Sequence, residues 1–176
     1  KKITLFIFLQ FIPSLCFSQY VFSNATTADG LGSKYVFGLY ANGSTVYVAT
    51  ISGLSISTDG GTTFSNRTTS DGLGSNSVNW VYANGSTVYA ATMGGLSIST
   101  DGGTTFSNRT TSDGLGSNSV YGVYASGSTV YAGTNSGLSI STDGGTTFSN
   151  RTTSDGLGSN FVYGLYVNGS TVYAAT

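Results

Sequence analysis

One 12-residue segment occurs three times without change in this chain, and the spacing of its copies constrains the fold more than any other feature. The copies occupy residues 53–64, 95–106 and 137–148, so the repeat period is 42 residues. This length exceeds one turn of a β-solenoid and fits four short strands, the size of a β-propeller blade. We therefore predict an all-β fold, a β-propeller of four-stranded antiparallel blades, present as an open fragment of about three and a half blades. The units are 22–63, 64–105, 106–147 and a truncated 148–176.

The second unit contains turn signals that divide it into strands. Asn84-Gly85 favours a type I′ hairpin turn, and Asp101-Gly102-Gly103 marks a second tight turn. We predict strands over 78–82, 87–92, 96–100 and 104–108, rich in β-branched and aromatic residues. One such sheet has two apolar faces and cannot bury both alone, so the units must stack. The aromatic residues that recur in register are expected between the blades: Tyr40, Tyr82, Tyr124 and Tyr166; Tyr47, Tyr89, Tyr131 and Tyr173; Phe64, Phe106 and Phe148.

Residues 1–18 have the pattern of a secretory signal peptide. Lys1 and Lys2 precede an apolar run over 3–12, and small residues at Cys16 and Ser18 would allow cleavage before Gln19. The apolar run is too short to cross a membrane. We therefore expect a secreted or cell-surface protein whose residues 19–176 form the partial propeller.

The two ends of the chain suggest a piece of a longer reading frame. The sequence has no initiating Met and stops after the second strand of a fourth unit. Residues 19–24 resemble the fourth strand of a missing blade, as in propellers that close the ring with the start of the chain. We expect exposed sheet edges at Tyr173 and around Val21.

The composition excludes several classes of function. Charged residues make up only 7% of the chain, and beyond residue 18 four basic residues face seven aspartates, a net charge of −3. That balance argues against a nucleic-acid surface. His and Glu are absent and the one Cys lies at position 16, which removes most metal ligands and the usual nucleophile and base pairs. We expect a non-catalytic protein without metal or cofactor.

The segment from Ser57 to Phe64 and its copies 99–106 and 141–148 resemble the Asp-box (Ser-x-Asp-x-Gly-x-Thr-aromatic) of sialidase-type, BNR-like propellers. The resemblance implies a turn between the third and fourth strands and a structural role for the motif. Its carboxylate can accept backbone N–H bonds, its glycine permits positive φ, and its aromatic ring fills the core. The residues concerned are Ser57, Asp59, Gly61, Phe64, Ser99, Asp101, Gly103, Phe106, Ser141, Asp143, Gly145 and Phe148.

The catalytic residues of sialidases have no counterpart in this chain. Members of that family use three Arg from different blades, a Tyr nucleophile assisted by Glu, and an Asp acid. Glu is absent, and the three Arg occupy one repeat position, so we interpret Arg67, Arg109 and Arg151 as surface charge. A pair of Asp could serve a glycosidase, or a ring of Asp could hold a cation. The candidates each belong to an Asp-Gly turn, and we interpret them as turn formers: Asp29, Asp71, Asp113 and Asp155.

A second, looser resemblance covers the rest of the unit. Residues 71–78 and 88–96 are similar to the repeat of two-component regulator propellers, which are sensor ectodomains of some bacterial hybrid histidine kinases. This chain has Tyr89 where those repeats have Trp, and Gly74 where they have Pro. The resemblance implies a sensor role as an alternative.

Differences between the copies indicate a ligand-binding surface. Units two and three differ at six positions, and five of these lie in the first strand or around the turn after the second strand. We expect these positions to meet on one face beside the central channel, where aromatic rings and amides would suit a glycan or an extended protein segment. Drift after duplication, with the rings merely packing the channel, is the other interpretation. The candidates are Tyr35, Phe37, Asn79, Trp80, Tyr121, Asn135, Phe161 and Tyr163.

The sequence thus predicts a secreted or cell-surface, non-catalytic propeller scaffold for binding or adhesion. The alternatives are a two-component sensor ectodomain and part of a propeller glycosidase with catalytic residues outside this segment.

Overall fold

The computed structural model describes residues 23–176 and two short segments before them, β1 (Ile3–Thr4) and β2 (Gln19–Tyr20), which pair antiparallel. The rest of the signal-peptide prediction, and the predicted edge at Val21, lie outside the described residues. Within the predicted strand 19–24, Gln19–Tyr20 is a strand and residues 23–24 are not.

Three four-stranded antiparallel sheets and one two-stranded sheet follow in chain order within residues 23–176. Blade 1 comprises β3 (Val36–Asn42), β4 (Thr45–Thr50), β5 (Gly53–Ser57) and β6 (Ser65–Arg67). Blade 2 comprises β7 (Val78–Asn84), β8 (Thr87–Thr92), β9 (Gly95–Ser99) and β10 (Ser107–Arg109). Blade 3 comprises β11 (Val120–Ser126), β12 (Thr129–Thr134), β13 (Gly137–Ser141) and β14 (Ser149–Arg151). The partial blade 4 comprises β15 (Gly164–Asn168) and β16 (Thr171–Ala175). The prediction of an all-β propeller arc of about three and a half blades is confirmed.

The structure refines the predicted strands in two places. The fourth strand of blades 1, 2 and 3 has only three residues, because the residues before it belong to a loop organised by Asp101 and its counterparts. Each linker contains a single 3₁₀ turn, at Thr27–Asp29, Thr69–Asp71, Thr111–Asp113 and Thr153–Asp155. The blades are also out of phase with the units defined from the sequence, because a repeat period fixes the length of a unit but not where it begins.

Successive blades bury their apolar faces against each other. Between blades 1 and 2, Tyr47 and Ile56 pack against Val81, Ala83 and other residues of the next sheet. Between blades 2 and 3, the equivalent residues form a second cluster. Along the centre of the arc, the rings of Tyr40, Tyr82 and Tyr124 contact one another, with centroids 5.0 and 4.7 Å apart. The predicted placement of repeated aromatic rings between blades is confirmed at these positions.

The column of central phenols is partly withdrawn from water. Burial, with smaller contributions from the neighbouring Tyr124 and Tyr40, raises the pKa of Tyr82 to about 12. Burial also raises the pKa of Tyr47 and Tyr89 above the usual range. Tyr47, Tyr82 and Tyr89 therefore stay neutral at physiological pH and act as packing groups.

Candidate ligand-binding face

The strand ends form two opposite faces of the arc, here called the linker face and the loop face. The linker face holds the linkers between blades and the turns between second and third strands; Met93 N donates to Ser77 O (3.1 Å) and joins the two. The loop face holds the hairpin tips and the loops between third and fourth strands; Gly102 N donates to Ser86 O (2.9 Å) and joins those. A ligand on one face therefore meets different residues from a ligand on the other.

On the loop face, each loop between third and fourth strands is built around one carboxylate. Asp101 Oδ1 accepts bonds from Ser99 Oγ (2.6 Å) and from the backbone N–H of Thr104 (2.9 Å). The backbone N–H and the hydroxyl of Thr105 also donate to the Asp101 carboxylate. The loops of Asp59 and Asp143 repeat this arrangement. We call them the carboxylate loops.

These hydrogen bonds hold the loop carboxylates in the charged form. The bonds from Ser99 and Thr105 hold the pKa of Asp101 well below its usual range. The pKa values of Asp59 and Asp143 are lowered by the same kinds of donor. Because a catalytic acid must hold a proton near neutral pH, these groups are poorly suited to acid catalysis.

The carboxylate loops also connect neighbouring blades. Arg67 Nε donates to Gly103 O of the next blade (2.9 Å), and Arg109 Nε donates to Gly145 O in the same way. The interpretation of these arginines as surface charge is wrong for Arg67 and Arg109, which are half-buried at a blade interface; Arg151 is exposed. Sequence reasoning missed this role because the acceptor is a backbone carbonyl 36 residues away.

The linker aspartates occupy caps of the 3₁₀ turns. Asp71 Oδ2 accepts from Thr68 N (2.8 Å), and Thr68 Oγ1 accepts in turn from Ser70 N. The carbonyl of Asp71 accepts from Phe106 N (2.9 Å), which ties the linker to the blade that it enters. Asp29, Asp113 and Asp155 make the same caps. Within residues 23–176, no group of three or more His, Cys, Asp or Glu lies close enough to hold a metal ion.

The linker face carries a large exposed ring at Trp80 in the first strand of blade 2. Position 80 is Gly in the other three units, and the Trp80 ring lies over Gly38 of blade 1. A Cβ atom at Gly38 would be 2.6 Å from the ring, so the absence of a side chain there makes room for Trp80. The indole remains 41% exposed. One ring face is thus packed on backbone while other parts of the side chain face solvent.

Asn79 lies in a β-bulge next to Trp80 and connects blade 2 to blade 3. The register shifts between Val78 and Trp80, and Asn79 Nδ2 donates to Val120 O of the next blade (2.7 Å). The Asn79 amide also lies 3.3 Å from Met93 Sδ. The donor group of Asn79 therefore has a structural partner, although the residue lies on the predicted face.

Three of the predicted aromatic residues form one cluster between blades 3 and 4. The Tyr121 ring lies 4.8 Å from the Phe161 ring and 6.3 Å from the Tyr163 ring, centroid to centroid. Phe161 and Tyr163 stack at 4.2 Å with an interplanar angle of 30°. Tyr163 is 59% exposed, so the cluster presents a ring surface to solvent. We call these three residues the aromatic cluster.

The remaining candidates lie on the same face but apart from the cluster. Tyr35 and Phe37 are exposed on blade 1, where the ammonium of Lys34 lies 5.2 Å from the Tyr35 ring centroid. Asn135 is exposed in the turn between β12 and β13, and its Oδ1 accepts from Ser136 Oγ (3.2 Å). The candidates thus spread along the arc rather than surrounding one pocket.

None of the helices in residues 23–176 has the length and apolar character needed to cross a membrane.

Comparison with known proteins identifies the fold. No protein-family model matches the chain, and no curated protein sequence matches it. The extracellular domain of a hybrid two-component system, BT3049, from B. thetaiotaomicron superposes with a TM-score of 0.69 at 20% identity, over 82% of this chain and 22% of that one. An ancestral GH74 enzyme superposes with a TM-score of 0.61 at 21% identity, over 80% of this chain and 21% of that one. YCF48 bound to D1 peptide gives 0.55 at 20% identity, over 66% and 40%.

These similarities show a shared fold. This chain spans about a fifth of the length of the first two structures. Because a propeller scaffold serves sensors and enzymes alike, the fold alone does not determine the function of this chain. The chain has the fold of a β-propeller segment.

Proposed function

We propose that this chain is part of an exported, non-catalytic β-propeller that binds a glycan or protein ligand on its linker face. The observation that carries the proposal is the exposure there of aromatic rings at repeat positions that are not aromatic in every unit. Trp80 occurs in one unit of four, and the aromatic cluster occurs at one blade interface. Exposed ring faces offer apolar contact to the flat side of a sugar or to an extended peptide.

The environment of the acidic groups supports a binding role over catalysis. The Asp side chains at 59, 101 and 143 are held by loop donors, and those at 29, 71, 113 and 155 cap 3₁₀ turns. A glycosidase needs two carboxylates that face one bond, one of them protonated. The candidate residues of the linker face are aromatic rings and amides, which bind a ligand without transferring a proton.

Resemblance to the Asp-box supports the same division of roles. We propose that the carboxylate loops are Asp-boxes whose task is to close a turn and contact the neighbouring blade. Export is proposed from the basic and apolar pattern of residues 1–18. A sensor role is the second candidate, because one structural neighbour is the extracellular domain of a hybrid two-component system. A sensor would also need a ligand on an exposed face.

The single tryptophan provides a direct test, because Trp80 lies on the proposed face and is the chain's only indole. The full chain is titrated with neutral glucose, mannose and galactose hexasaccharides and with a proline-rich peptide while Trp80 fluorescence is recorded. A saturable change with an oligosaccharide supports a glycan ligand, and a response to the peptide alone supports a protein ligand. Release of shorter sugars would favour the glycosidase alternative. No response to any probe by fluorescence and calorimetry would contradict the proposal.

Two variants locate the binding surface. Tyr163→Ala removes an exposed ring of the aromatic cluster and should weaken binding by about tenfold or more, about 1.4 kcal/mol. Asn84→Ala is the control, since Asn84 is exposed at the other end of the strand that carries Trp80, on the loop face. Equal weakening by both variants would place the ligand elsewhere.

A further inference from the structure

The linker face of blade 2 carries the chain's single methionine in an exposed turn. Met93 lies between β8 and β9 and is 43% exposed. Blades 1 and 3 flank blade 2 on its two sides, so this exposure is a property of the linker face itself. The same turn position holds Ile51 in blade 1 and Asn135 in blade 3, and both of these side chains are exposed as well. The position therefore has no packing role that the blades share.

The thioether of Met93 is contacted by a side-chain amide. The Asn79 amide has two N–H groups, and Asn79 Nδ2 donates to Val120 O of blade 3 (2.7 Å) and to Met93 Sδ (3.3 Å). A carbonyl oxygen is a good acceptor, whereas a thioether sulfur is a weak one. The bond to Val120 O thus fixes the amide, and the second N–H meets a group that accepts it poorly.

Oxidation by a peroxide would turn this weak acceptor into a strong one. The sulfur lone pair attacks one oxygen of hydrogen peroxide, the O–O bond breaks, and the second oxygen leaves as water. The thioether is oxidised by two electrons to a sulfoxide, and the peroxide is reduced. The new oxygen is bonded to an atom that lies 3.3 Å from the donor nitrogen. A small rotation of the flexible methionine side chain would bring this oxygen within hydrogen-bond distance.

We infer that Met93 is a site of reversible oxidation by hydrogen peroxide, and that the Asn79 amide holds the sulfoxide oxygen. The reverse step removes the oxygen as water and converts two thiols into a disulfide, a reaction that methionine sulfoxide reductases catalyse. In the oxidised form one amide would join the turn after β8 to β7 and to β11 of the next blade. The oxidised side chain would therefore be ordered rather than merely solvated.

The pair of a thioether and a donor amide occurs in one blade only. Asn79 and Met93 are two of the six positions at which units two and three differ. The equivalent pairs are Phe37 with Ile51 in blade 1 and Tyr121 with Asn135 in blade 3. Neither pair contains sulfur, so peroxide would act at one place on a face that is otherwise built from similar units.

Oxidation would also change the proposed ligand surface. Asn79 precedes Trp80 in β7, so the sulfoxide would form close to the strand that carries the chain's single indole. A ligand that rests on Trp80 would meet an apolar side chain in the reduced form and a polar one in the oxidised form. This consequence rests on the proposed function, whereas the oxidation of Met93 and its hydrogen bond to Asn79 do not.

The first test locates the oxygen. The full chain is treated with hydrogen peroxide, either folded or in urea, and then digested with trypsin. The tryptic peptide 68–109 contains Met93 and lacks Cys16, the only other sulfur in the chain. We expect this peptide to gain one oxygen at Met93, at similar rates in both conditions, and to lose it on treatment with methionine sulfoxide reductases and a dithiol. The Met93→Leu chain, which keeps an apolar side chain of similar size, should gain none there.

Two results of that test would overturn the site. Oxidation of Met93 that is slower in the folded chain by about tenfold or more would show that the fold shields the sulfur. A sulfoxide that the reductases cannot remove from the folded chain would make the change a permanent lesion.

Thermal unfolding tests the role of Asn79. Oxidation of the wild-type chain should raise the thermal midpoint by about 2–4 °C, the shift expected from one added hydrogen bond in a chain of this size. Asn79→Ala removes the donor, so oxidation should not raise the midpoint of that variant. Asn79→Phe, which gives blade 2 the residue that blade 1 has at Phe37, repeats the comparison if the alanine variant does not fold.

A wild-type midpoint that stays constant or falls on oxidation would overturn the hydrogen bond to the sulfoxide. An equal rise in wild type and in the Asn79 variants would assign the effect to another group. None of these measurements uses a ligand, so failure of the ligand titration would leave the oxidation site standing, and failure of the oxidation site would leave the ligand proposal standing.

Discussion

The loop face and the linker face of the same blades differ in how freely their residues change between copies. On the loop face, the three carboxylate loops have identical sequences and identical hydrogen bonds. On the linker face, one position holds Gly38, Trp80 and Gly122 in successive blades, and another holds Phe37, Asn79 and Tyr121. Side chains that satisfy backbone groups of their own loop are constrained by the fold. The linker-face positions make no bonds of that kind within one shared loop, so a repeated scaffold can diversify them while it keeps the carboxylate loops unchanged.

Lowering the pH should give the largest difference between the two faces. It protonates the carboxylates of all three loops on the loop face, whereas the candidate residues of the linker face are aromatic rings and amides. The pKa values of Asp59, Asp101 and Asp143 are lowered in the folded chain, so their bonds stabilise the fold fully above the unfolded value of 3.8. That stability is lost as the pH falls below about 4 towards the folded pKa values. We expect the thermal midpoint, followed by circular dichroism at constant ionic strength, to fall steeply between pH 4 and pH 2.

The variant Asp101→Asn is the control for this titration. Its amide does not ionise, so the variant should be less stable than wild type at pH 7 and should lose less between pH 5 and pH 2. A wild-type midpoint that stays constant down to pH 2 would show that the carboxylates contribute little to the fold.

Much of the fold could be predicted from the sequence because the same strand and turn pattern recurs in successive units. The period gave the blade, and turn residues such as Asn84-Gly85 marked the strand ends, because their backbone requirements are local. The short fourth strand and the 3₁₀ turns were missed because they depend on side chains of Asp101 and Thr68 that bind nearby backbone. The pattern of hydrophobic residues gives no information about such hydrogen bonds between side chains and backbone.

The candidate face was predictable only in part. Most differences between units lie at one end of the blades, and Trp80, Tyr121 and Asn135 are among those on the linker face. Pair contacts were not predictable: the Asn79 amide bonds to a carbonyl 41 residues away, and the ring of Trp80 depends on Gly38. Which residues of neighbouring blades contact each other can be determined only when the stacking of the blades is known.

Substitution of the arginines that bind the carboxylate loops of the loop face should have a smaller effect on stability. Arg109→Ala removes the bond to Gly145 O of the next blade and should cost about 1 kcal/mol, since Arg109 is only half-buried. Arg151→Ala is the matched control, because Arg151 is exposed and its guanidinium bonds to the carbonyl of its own neighbour Asn150. Urea unfolding should therefore show a loss for Arg109→Ala and little change for Arg151→Ala. Equal losses would mean that the arginine acts within its own strand rather than between blades.

The smallest effect should come from exchanging one copy's linker-face residue for another's. Met93→Asn gives blade 2 the residue that blade 3 has at Asn135, and because Met93 is exposed we expect a change within about 0.5 kcal/mol. Thr105→Val also alters one side chain, this time on the loop face. It removes a hydroxyl that donates to the carboxylate of Asp101 (2.7 Å). Its loss in urea unfolding should exceed that of Met93→Asn, because the carboxylate loses a donor that the fold supplies. If Met93→Asn proved the more costly, the linker face would be held by its own packing as tightly as the loop face. Its sequence differences would then have to be compensated within each blade, and they could not serve as a freely varied ligand surface.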